Sequence, residues 1–217
     1  MDVHVVPTMT HGRVLVREAR AAARRGVIVG FHGYMEDAQI QMTRLEAIDD
    51  ASAWTLVSIQ GLHRFYRGRS EEVVASWMTR EDRDVAIADN LSYVAAALEQ
   101  VPHDDSTRIV YAGFSQGVAM AFRAAVRGTR GASAIVAVGG DVPPELLADG
   151  SVRFPPVLLA RGARDDWFTS TRFEKDVAAL SERTDGLQPL EYDGAHEWNA
   201  AVSDAIALFL SRISPGH

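Results

Sequence analysis

The sequence predicts an α/β protein in which a mainly parallel central sheet carries helices on both faces. Short apolar runs alternate along the chain with amphipathic patterns of helical period. Alternation of strands and helices favours parallel strands joined by crossover connections. The runs are largely apolar throughout, as in strands that are covered on both faces. A ligand of such a sheet binds beyond the carboxyl ends of the strands, so the loops after the runs are the candidate sites.

Six runs are predicted to form strands of this sheet. They occupy residues 26–31, 54–59, 108–112, 134–138, 157–160 and 187–192, of which the last is the least apolar. Near the start of the chain, residues 3–6 and 14–16 flank a Thr-His-Gly turn, and we expect these two segments to pair as a hairpin.

Apolar residues at helical spacing predict three helices. The three stripes are Ile87, Leu91, Val94 and Leu98; Phe173, Val177 and Leu180; and Trp198, Val202, Ala205, Ile206 and Phe209. Pro102 is expected to end the first helix, because proline cannot continue one. Proline and glycine fall mostly singly between segments, so we expect residues 1–217 to form one domain without a large lid domain.

The composition is that of a soluble globular protein, with 47% apolar and 24% charged residues. No apolar run approaches the roughly 20 residues of a membrane helix, and no signal-like segment opens the chain, so we expect a cytoplasmic protein. The net charge of −7, without a basic block, disfavours nucleic acid as a partner. The absence of cysteine excludes disulfides, a thiol nucleophile and thiolate metal sites.

A Gly-x-Ser-x-Gly motif occupies residues 113–117, directly after a predicted strand. The residues that follow are apolar on nearly every side and predict a buried helix that Gly128 can end. This strand–turn–helix context is that of a nucleophile elbow, where flanking glycines avoid clashes in a sharp turn. Ser115 is therefore the candidate nucleophile, and a plain strand-to-helix turn is the alternative.

A nucleophilic serine requires donors for the oxyanion that forms during acyl transfer, and loss of one donor costs on the order of 3 kcal/mol. One donor is expected from the backbone of the residue after the nucleophile, here Gln116. The other is expected from the loop after an early strand, here the N–H of Tyr34 in the segment His32-Gly33-Tyr34. A simple turn at His32-Gly33 is the alternative.

Two late loops supply an acid and a histidine in the chain order Ser, acid, His. Asp165 follows the run at 157–160, and His196 follows the run at 187–192. His196 is the candidate base, and the acid would orient its imidazole. Each residue alone has an ordinary alternative as a loop cap or a structural histidine. Their joint occurrence at strand ends favours catalysis, although Asp166 remains a second candidate for the acid.

Four motifs together resemble the phospholipase/carboxylesterase family of α/β-hydrolases, which includes small carboxylesterases and acyl-protein thioesterases. The motifs are His32-Gly33, Gly-Phe-Ser-Gln-Gly at 113–117, Gly162-x-x-Asp165 and Gly194-Ala195-His196-Glu197. The resemblance runs from about residue 27 to residue 209. It implies the α/β-hydrolase fold.

The resemblance also assigns roles position by position. Ser115 matches the family's nucleophile, Asp165 its acid, His196 its base, and the N–H groups of Tyr34 and Gln116 its oxyanion hole. The Gly-x-x-Asp spacing favours Asp165 over Asp166. One departure lies in the oxyanion loop, where the family usually has a glycine directly after the position of Tyr34, and this chain has Met35.

A stretch of 24 residues, 60–83, separates a predicted strand from a predicted helix. Long loops in compact domains are often functional. We hypothesise that Tyr66, Trp77 and, in the acid loop, Trp167 line a substrate pocket, and core anchoring is the alternative for Tyr66 and Trp77. The arginines of this stretch alternate with acidic residues, so they do not predict an anion site.

The expected function is hydrolysis of small-molecule carboxylic esters or thioesters through an acyl-enzyme on Ser115, without a metal or organic cofactor. A lysophospholipase or acyl-protein-thioesterase-type deacylase, a depolymerase-like esterase and a peptidase are alternatives with the same chemistry. A binding protein on a hydrolase fold is an alternative from a different class, since fold does not fix function. The sequence leaves monomer and homodimer open.

Overall fold

The strands of the protein build one large sheet and one separate hairpin. The computed structural model describes residues 1–101, 106–184 and 186–213. The strands in these ranges are β1 (Arg13–Arg17), β2 (Gly26–Phe31), β3 (Trp54–Gln60), β4 (His63–Tyr66), β5 (Val73–Ser76), β6 (Ile109–Phe114), β7 (Ala134–Val138), β8 (Val157–Gly162) and β9 (Leu187–Tyr192). The large sheet has the order β1-β3-β2-β6-β7-β8-β9. It is parallel except at its edge, where β1 runs antiparallel to β3.

All six predicted strands of the sheet are confirmed, with ends that differ by no more than two residues. The predicted hairpin between residues 3–6 and 14–16 is wrong. Residues 3–6 form no strand and are exposed, whereas residues 14–16 lie in β1 and pair with β3, for example Leu15 with Ser58. This pairing lets Val14 and Leu15 pack against the two hydrophobic cores, which an isolated hairpin would not provide.

The helices that follow the strands are α1 (Ala38–Glu46), α2 (Arg83–Glu99), α3 (Gln116–Arg127), α4 (Pro144–Ala148), α5 (Ser170–Ser181) and α6 (Ala200–Arg212). The three predicted stripes lie in α2, α5 and α6, and α3 is the buried helix expected after Ser115. Gly128 caps the carboxyl end of α3 as expected. Pro102, expected to end α2, lies outside the described residues. No helix in the described ranges is long and apolar enough to cross a membrane.

Helices cover both faces of the sheet. Neighbouring residues of the central strands point to opposite faces, and both sets are apolar and buried under helices. Val29 and Tyr111 belong to a core formed with α2, α3, α4 and α5. Ile28 and Val110 belong to a second core formed with α1 and α6. The described residues include no large lid domain over the carboxyl ends of the strands. The predicted fold class is therefore confirmed.

The stretch predicted as a loop, residues 60–83, contains the antiparallel hairpin of β4 and β5. Directly after β5, the Trp77 side chain is fully buried. Its Nε1 donates to the carbonyl oxygen of His32 over 2.9 Å, and its ring meets Phe31 edge-on with centroids 5.4 Å apart. Trp77 thus has the position of a core anchor, while Tyr66 on the hairpin is 64% exposed.

Replacement of Trp77 by alanine is expected to lower the free energy of unfolding by about 3–5 kcal/mol, because a large buried ring and a buried hydrogen bond are both lost. Trp167 is 75% exposed and provides the matched control. Trp167→Ala is expected to change stability by less than about 0.5 kcal/mol. Urea titration of the two variants measures both values. Equal stability of the two variants would contradict the assignment of Trp77 as a core anchor.

Candidate active site

Ser115 lies in a sharp turn between β6 and α3. Its φ of 52° and ψ of −119° fall outside the regions that non-glycine residues favour, at a cost of about 1–3 kcal/mol. A Cβ at Gly113 would lie 2.4 Å from the carbonyl oxygen of Gly117, and a Cβ at Gly117 would lie 2.1 Å from that of Phe31. Both glycines of the motif are therefore required by backbone contacts. The N–H of Ser115 donates to the carbonyl oxygen of Val138 over 2.9 Å and fixes the turn to the end of β7.

A continuous line of hydrogen bonds joins Ser115, His196 and Asp165. The Oγ of Ser115 lies 2.9 Å from Nε2 of His196, and Nδ1 of His196 lies 2.8 Å from Oδ2 of Asp165. A carboxylate can only accept, so Nδ1 carries the proton and Nε2 accepts from the serine hydroxyl. The arrangement can remove a proton from Ser115 and stabilise the imidazolium that results.

The two adjacent aspartates occupy different environments. The side chain of Asp165 has no exposed surface. Its Oδ1 accepts the N–H groups of Trp167 and Phe168 over 2.8 and 2.9 Å, which leaves Oδ2 directed at His196. Asp166 is exposed and makes no hydrogen bond to His196. The structure therefore brings Asp165, the residue that the Gly-x-x-Asp spacing favours, into contact with His196.

His196 is held by the loops after β8 and β9 and by the side chain of Phe114. The loops after β8 and β9 are joined by a hydrogen bond from the Arg164 N–H to the Gly194 carbonyl oxygen over 2.9 Å. The imidazole packs against the ring of Phe114, the residue before the serine, with centroids 5.0 Å apart. The centroid of the Trp167 ring lies 6.4 Å from that of the imidazole. The imidazole is thus oriented by packing as well as by Asp165.

The two expected oxyanion donors follow neighbouring strands. β2 and β6 pair in parallel, with Phe31 opposite Gly113, so the loops that contain Tyr34 and Gln116 leave the sheet side by side. Within the described part of the chain, neither backbone N–H has a hydrogen-bond acceptor. For Gln116 the reason is its place at the first turn of α3, where N–H groups have no partner in the helix.

The side chain of Gln116 connects the turn at Ser115 to the backbone of Trp77 and Met78 after β5. Its Oε1 accepts the Trp77 N–H over 3.0 Å, and its Nε2 donates to the Met78 carbonyl oxygen over 3.0 Å. The amide oxygen accepts and the amide NH2 donates, so the side chain cannot rotate without losing both hydrogen bonds. The backbone of Gln116 is thereby held in place.

Met35 occupies the position where the resembling family usually has glycine. Its φ is 60°, in the left-handed region that glycine adopts without strain. The strained backbone is held by the β4–β5 hairpin: the Met35 N–H donates to the Ala75 carbonyl oxygen over 3.1 Å. Nη2 of Arg67 donates to the Met35 carbonyl oxygen over 2.7 Å. The hairpin thus enforces a conformation that a glycine would only permit.

His32, at the start of the loop that contains Tyr34, is buried and uses both ring nitrogens. Nδ1 lies 2.7 Å from the Gly33 carbonyl oxygen, and Nε2 accepts the Gly61 N–H over 2.9 Å. This pattern requires a neutral ring with its proton on Nδ1. Burial lowers the pKa of His32, against smaller opposing effects of Gly33 and nearby carboxylates. The ring therefore stays neutral at pH 7 and ties the loop to the end of β3.

Glu36 links the loop that contains Tyr34 to the turn at Ser115. Its Oε2 accepts the Gly33 N–H over 2.7 Å, and Arg44 donates to both of its carboxylate oxygens over 2.6 Å. The Arg44 guanidinium in turn lies 4.0 Å above the ring of Phe114. Burial raises the pKa of Glu36, but hydrogen bonds and the charge of Arg44 outweigh burial, so the pKa is lowered overall. Glu36 is thus ionised at neutral pH.

A cavity of about 280 Å³ opens beside Ser115 and His196. Of the three predicted pocket residues, Trp167 lines it, whereas Tyr66 and Trp77 do not. Its walls include the apolar residues Ala119, Val142, Pro143 and Phe168. Among the described residues, no three His, Asp or Glu side chains converge as metal ligands would.

The cavity wall also contains Arg83, Arg123 and Arg172. The sequence analysis does not single out Arg123 or Arg172, and it sets Arg83 aside with the other arginines of residues 60–83. Arg123 carries a signal that could identify it, since it is a charged residue in the middle of the largely apolar helix that follows Ser115. Ala119 and Arg123 lie four and eight residues after Ser115, on one face of α3. Arg83 gives no such signal, because acidic residues flank it in the sequence.

No protein-family model matches this sequence, and no curated protein matches it either. Solved structures do. Esterase PE8 is 21% identical over 94% of this chain and 100% of its own, with a TM-score of 0.70. Acyl-protein thioesterase 2 of Zea mays is 18% identical over 93% and 98%, with a TM-score of 0.71. The Bacillus cereus carboxylesterase is 16% identical over 94% and 95%, with a TM-score of 0.67. At these identities the likeness establishes the fold, and the chain has the α/β-hydrolase fold.

Replacement of Glu36 by glutamine is expected to lower the free energy of unfolding by about 1–3 kcal/mol at pH 7, because the charge that pairs with Arg44 is removed and the amide NH2 of glutamine cannot accept one of the two hydrogen bonds that Arg44 donates. A carboxylate with a lowered folded-state pKa stabilises the protein above its unfolded pKa, and this contribution is lost as the pH falls through the folded-state pKa. The deficit of the variant should therefore shrink below about pH 4.3. Urea titrations at pH 7 and at acid pH measure it.

Glu71→Gln is the matched control, since Glu71 is exposed on the hairpin. Its stability should follow that of the unmodified protein at both pH values. A deficit of Glu36→Gln that stays constant with pH would contradict the charged role of Glu36.

Proposed function

We propose that this protein is a serine hydrolase that cleaves carboxylic esters or thioesters through an acyl-enzyme on Ser115. The observation that carries the proposal is the hydrogen-bonded line from Ser115 through His196 to Asp165, at the mouth of a cavity. The free N–H groups of Tyr34 and Gln116 support it, because an acyl-transfer site needs such donors. The shared fold with an esterase, a carboxylesterase and an acyl-protein thioesterase supports the same chemistry.

In the first half of the reaction, Oγ of Ser115 attacks the carbonyl carbon while Nε2 of His196 takes the hydroxyl proton. The carbonyl oxygen becomes an oxyanion and accepts hydrogen bonds from the backbone of Tyr34 and Gln116. Asp165 stabilises the imidazolium. The bond to the leaving alcohol or thiol then breaks, and His196 returns the proton to that group. The acyl group remains on Ser115 as an ester.

In the second half, His196 takes a proton from water, which attacks the acyl-enzyme carbonyl. The same donors hold the second oxyanion. The bond to Oγ breaks, His196 reprotonates Ser115, and the carboxylic acid leaves. These steps need no metal or organic cofactor, because the side chains and backbone donors supply every proton and charge. His196 must be neutral to act as a base, so the rate should fall on the acid side.

The alternatives differ in what the cavity holds. At about 280 Å³, its volume lies just below the usual range of ligand pockets, which favours a small-molecule ester over a lysophospholipid or an acylated protein. The intact hydrogen-bond line argues against a binding protein on the same fold, which would not need an activated serine. We assign residues 1–217 to one hydrolase domain and place the enzyme in the cytoplasm as parts of the same proposal.

Ser115→Ala is expected to reduce hydrolysis of p-nitrophenyl esters by on the order of 10⁶-fold, which is background, because the nucleophile is removed. A series of p-nitrophenyl esters from acetate to decanoate, followed by the absorbance of the released p-nitrophenolate, gives the rates and the preferred acyl chain length. A fluorophosphonate probe should label the unmodified protein and leave Ser115→Ala unlabelled. Hydrolysis and labelling that persist in Ser115→Ala would contradict the assignment of the nucleophile.

Asp165→Asn is expected to lower kcat by about 10⁴-fold, because asparagine favours the wrong imidazole tautomer. Asp166→Asn is the matched control and should keep kcat within about twofold, since Asp166 is exposed and does not contact His196. Steady-state kinetics on the best p-nitrophenyl ester compares the two variants, with urea midpoints as the test of folding. A greater loss in Asp166→Asn than in Asp165→Asn would reverse the assignment of the acid.

A further inference from the structure

Three arginines line the cavity beside Ser115, in a protein whose net charge is −7. Arg83 begins α2, Arg123 lies on α3 and Arg172 lies on α5. They come from three different helices and line the same cavity. The grouping is therefore a property of the fold, and the alternation of charges along residues 60–83 does not predict it.

One carboxylate serves two of these guanidinium groups. Nε of Arg123 donates to Oε1 of Glu145 over 2.7 Å, and Nη2 of Arg83 donates to Oε2 of the same residue over 3.2 Å. The contact to Glu145 is the only hydrogen bond of the Arg83 guanidinium among the described residues. A guanidinium has five N–H donors, so Arg83 retains donors for a ligand in the cavity.

The third arginine has a carboxylate of its own. Arg172 forms an ion pair with Asp141 and also donates to the Trp167 carbonyl oxygen. Nearby, the buried Asp176 accepts the Val142 N–H over 2.8 Å. Within the cluster of Arg83, Arg123 and Glu145, by contrast, two guanidinium groups share one carboxylate, so this cluster carries one excess positive charge.

Arg123 makes this excess costly in the absence of a ligand. Its side chain is 1% exposed although it lines the cavity. Burial lowers the pKa of Arg123, Glu145 opposes this effect, and the charge of Arg83 adds to the lowering. A monoanion in the cavity would relieve the repulsion between the two guanidinium groups and complete the charge balance.

The distance from the reacting serine limits where the anion sits on the substrate. Arg123 lies eight residues after Ser115, about 12 Å along the helix axis. Side chains on a helix lean toward its amino terminus, here toward Ser115. Ala119 lies between the two positions on α3, and the cavity lining also includes the apolar side chains of Val142 and Phe168. A ligand that fits has its anionic group separated from the ester carbonyl by a few carbon atoms.

We propose that the enzyme prefers esters or thioesters that carry a carboxylate a few carbons from the scissile bond, and that Arg83 binds this carboxylate. The inference rests on the proposed function, because it concerns the substrate of the same site. It makes Arg83 a specificity-determining residue. The carboxylate can belong to the acyl group or to the leaving alcohol, which two pairs of matched substrates distinguish.

The first pair tests the acyl side and compares mono-p-nitrophenyl glutarate with p-nitrophenyl pentanoate. The second pair tests the alcohol side and compares 4-(butyryloxy)butanoate with butyl butyrate, followed by acid release. In one of the pairs, kcat/KM of the anionic ester should exceed that of the neutral ester by about tenfold, the scale of one charged hydrogen bond. The preference should weaken at 1 M salt, which screens charges on an open wall.

Arg83→Gln should reduce this anionic-to-neutral ratio by about tenfold. Arg80→Gln removes the same charge from an exposed site outside the cavity and should leave the ratio unchanged. Urea midpoints establish that both variants fold. A ratio near one in the unmodified protein for both pairs, or a ratio that Arg83→Gln does not alter, would overturn the inference while hydrolysis of neutral esters upheld the proposed function. Absence of both ester hydrolysis and fluorophosphonate labelling would instead overturn the proposed function and the inference with it.

Discussion

The contact on which the site depends is the backbone approach between the turn at Ser115 and the end of β2. A Cβ at Gly117 would lie 2.1 Å from the Phe31 carbonyl oxygen, so only glycine allows the approach. Parallel pairing of β2 with β6 sets it, and the start of α3 is thereby brought against the loop that begins at His32. The strained φ of Ser115 is the cost, and it is held by the hydrogen bond to Val138.

A second strained residue shows how the rest of the structure supports this contact. Met35 adopts a left-handed backbone, which persists only where the surroundings over-determine it. Ala75 and Arg67, both from the β4–β5 hairpin region, bind its backbone on both sides. The hairpin therefore supports the loop that contains Tyr34, the proposed oxyanion donor. Trp77, at the end of the same hairpin, anchors it in the core through His32.

Local patterns in the sequence predict the residues of the site that directly follow buried strands. Ser115 and Asp165 are readable because each comes after a run that the two cores bury on both faces. His196 follows the less apolar β9 and is readable from its place after the acid in the chain order. The hairpin is not readable, since β4 is mostly exposed and has no clear alternation. The pairing of Arg123 with Glu145 joins α3 to α4 across the fold. No periodicity reports such a contact, because it depends on how the helices pack.

Helix α3 connects the two halves of the candidate site, because it begins directly after Ser115, the proposed nucleophile, and carries the buried Arg123. Its amino terminus presents the free N–H of Gln116 and the positive end of the helix dipole, which favour an oxyanion. Two turns later the same helix holds Arg123 against the cavity. A helix is stiff, so the spacing between these two anion-favouring points is fixed by the backbone. The proposed preference for a carboxylate a few carbons from the scissile bond rests on this spacing, because Arg83 and Arg123 donate to the same Glu145 carboxylate.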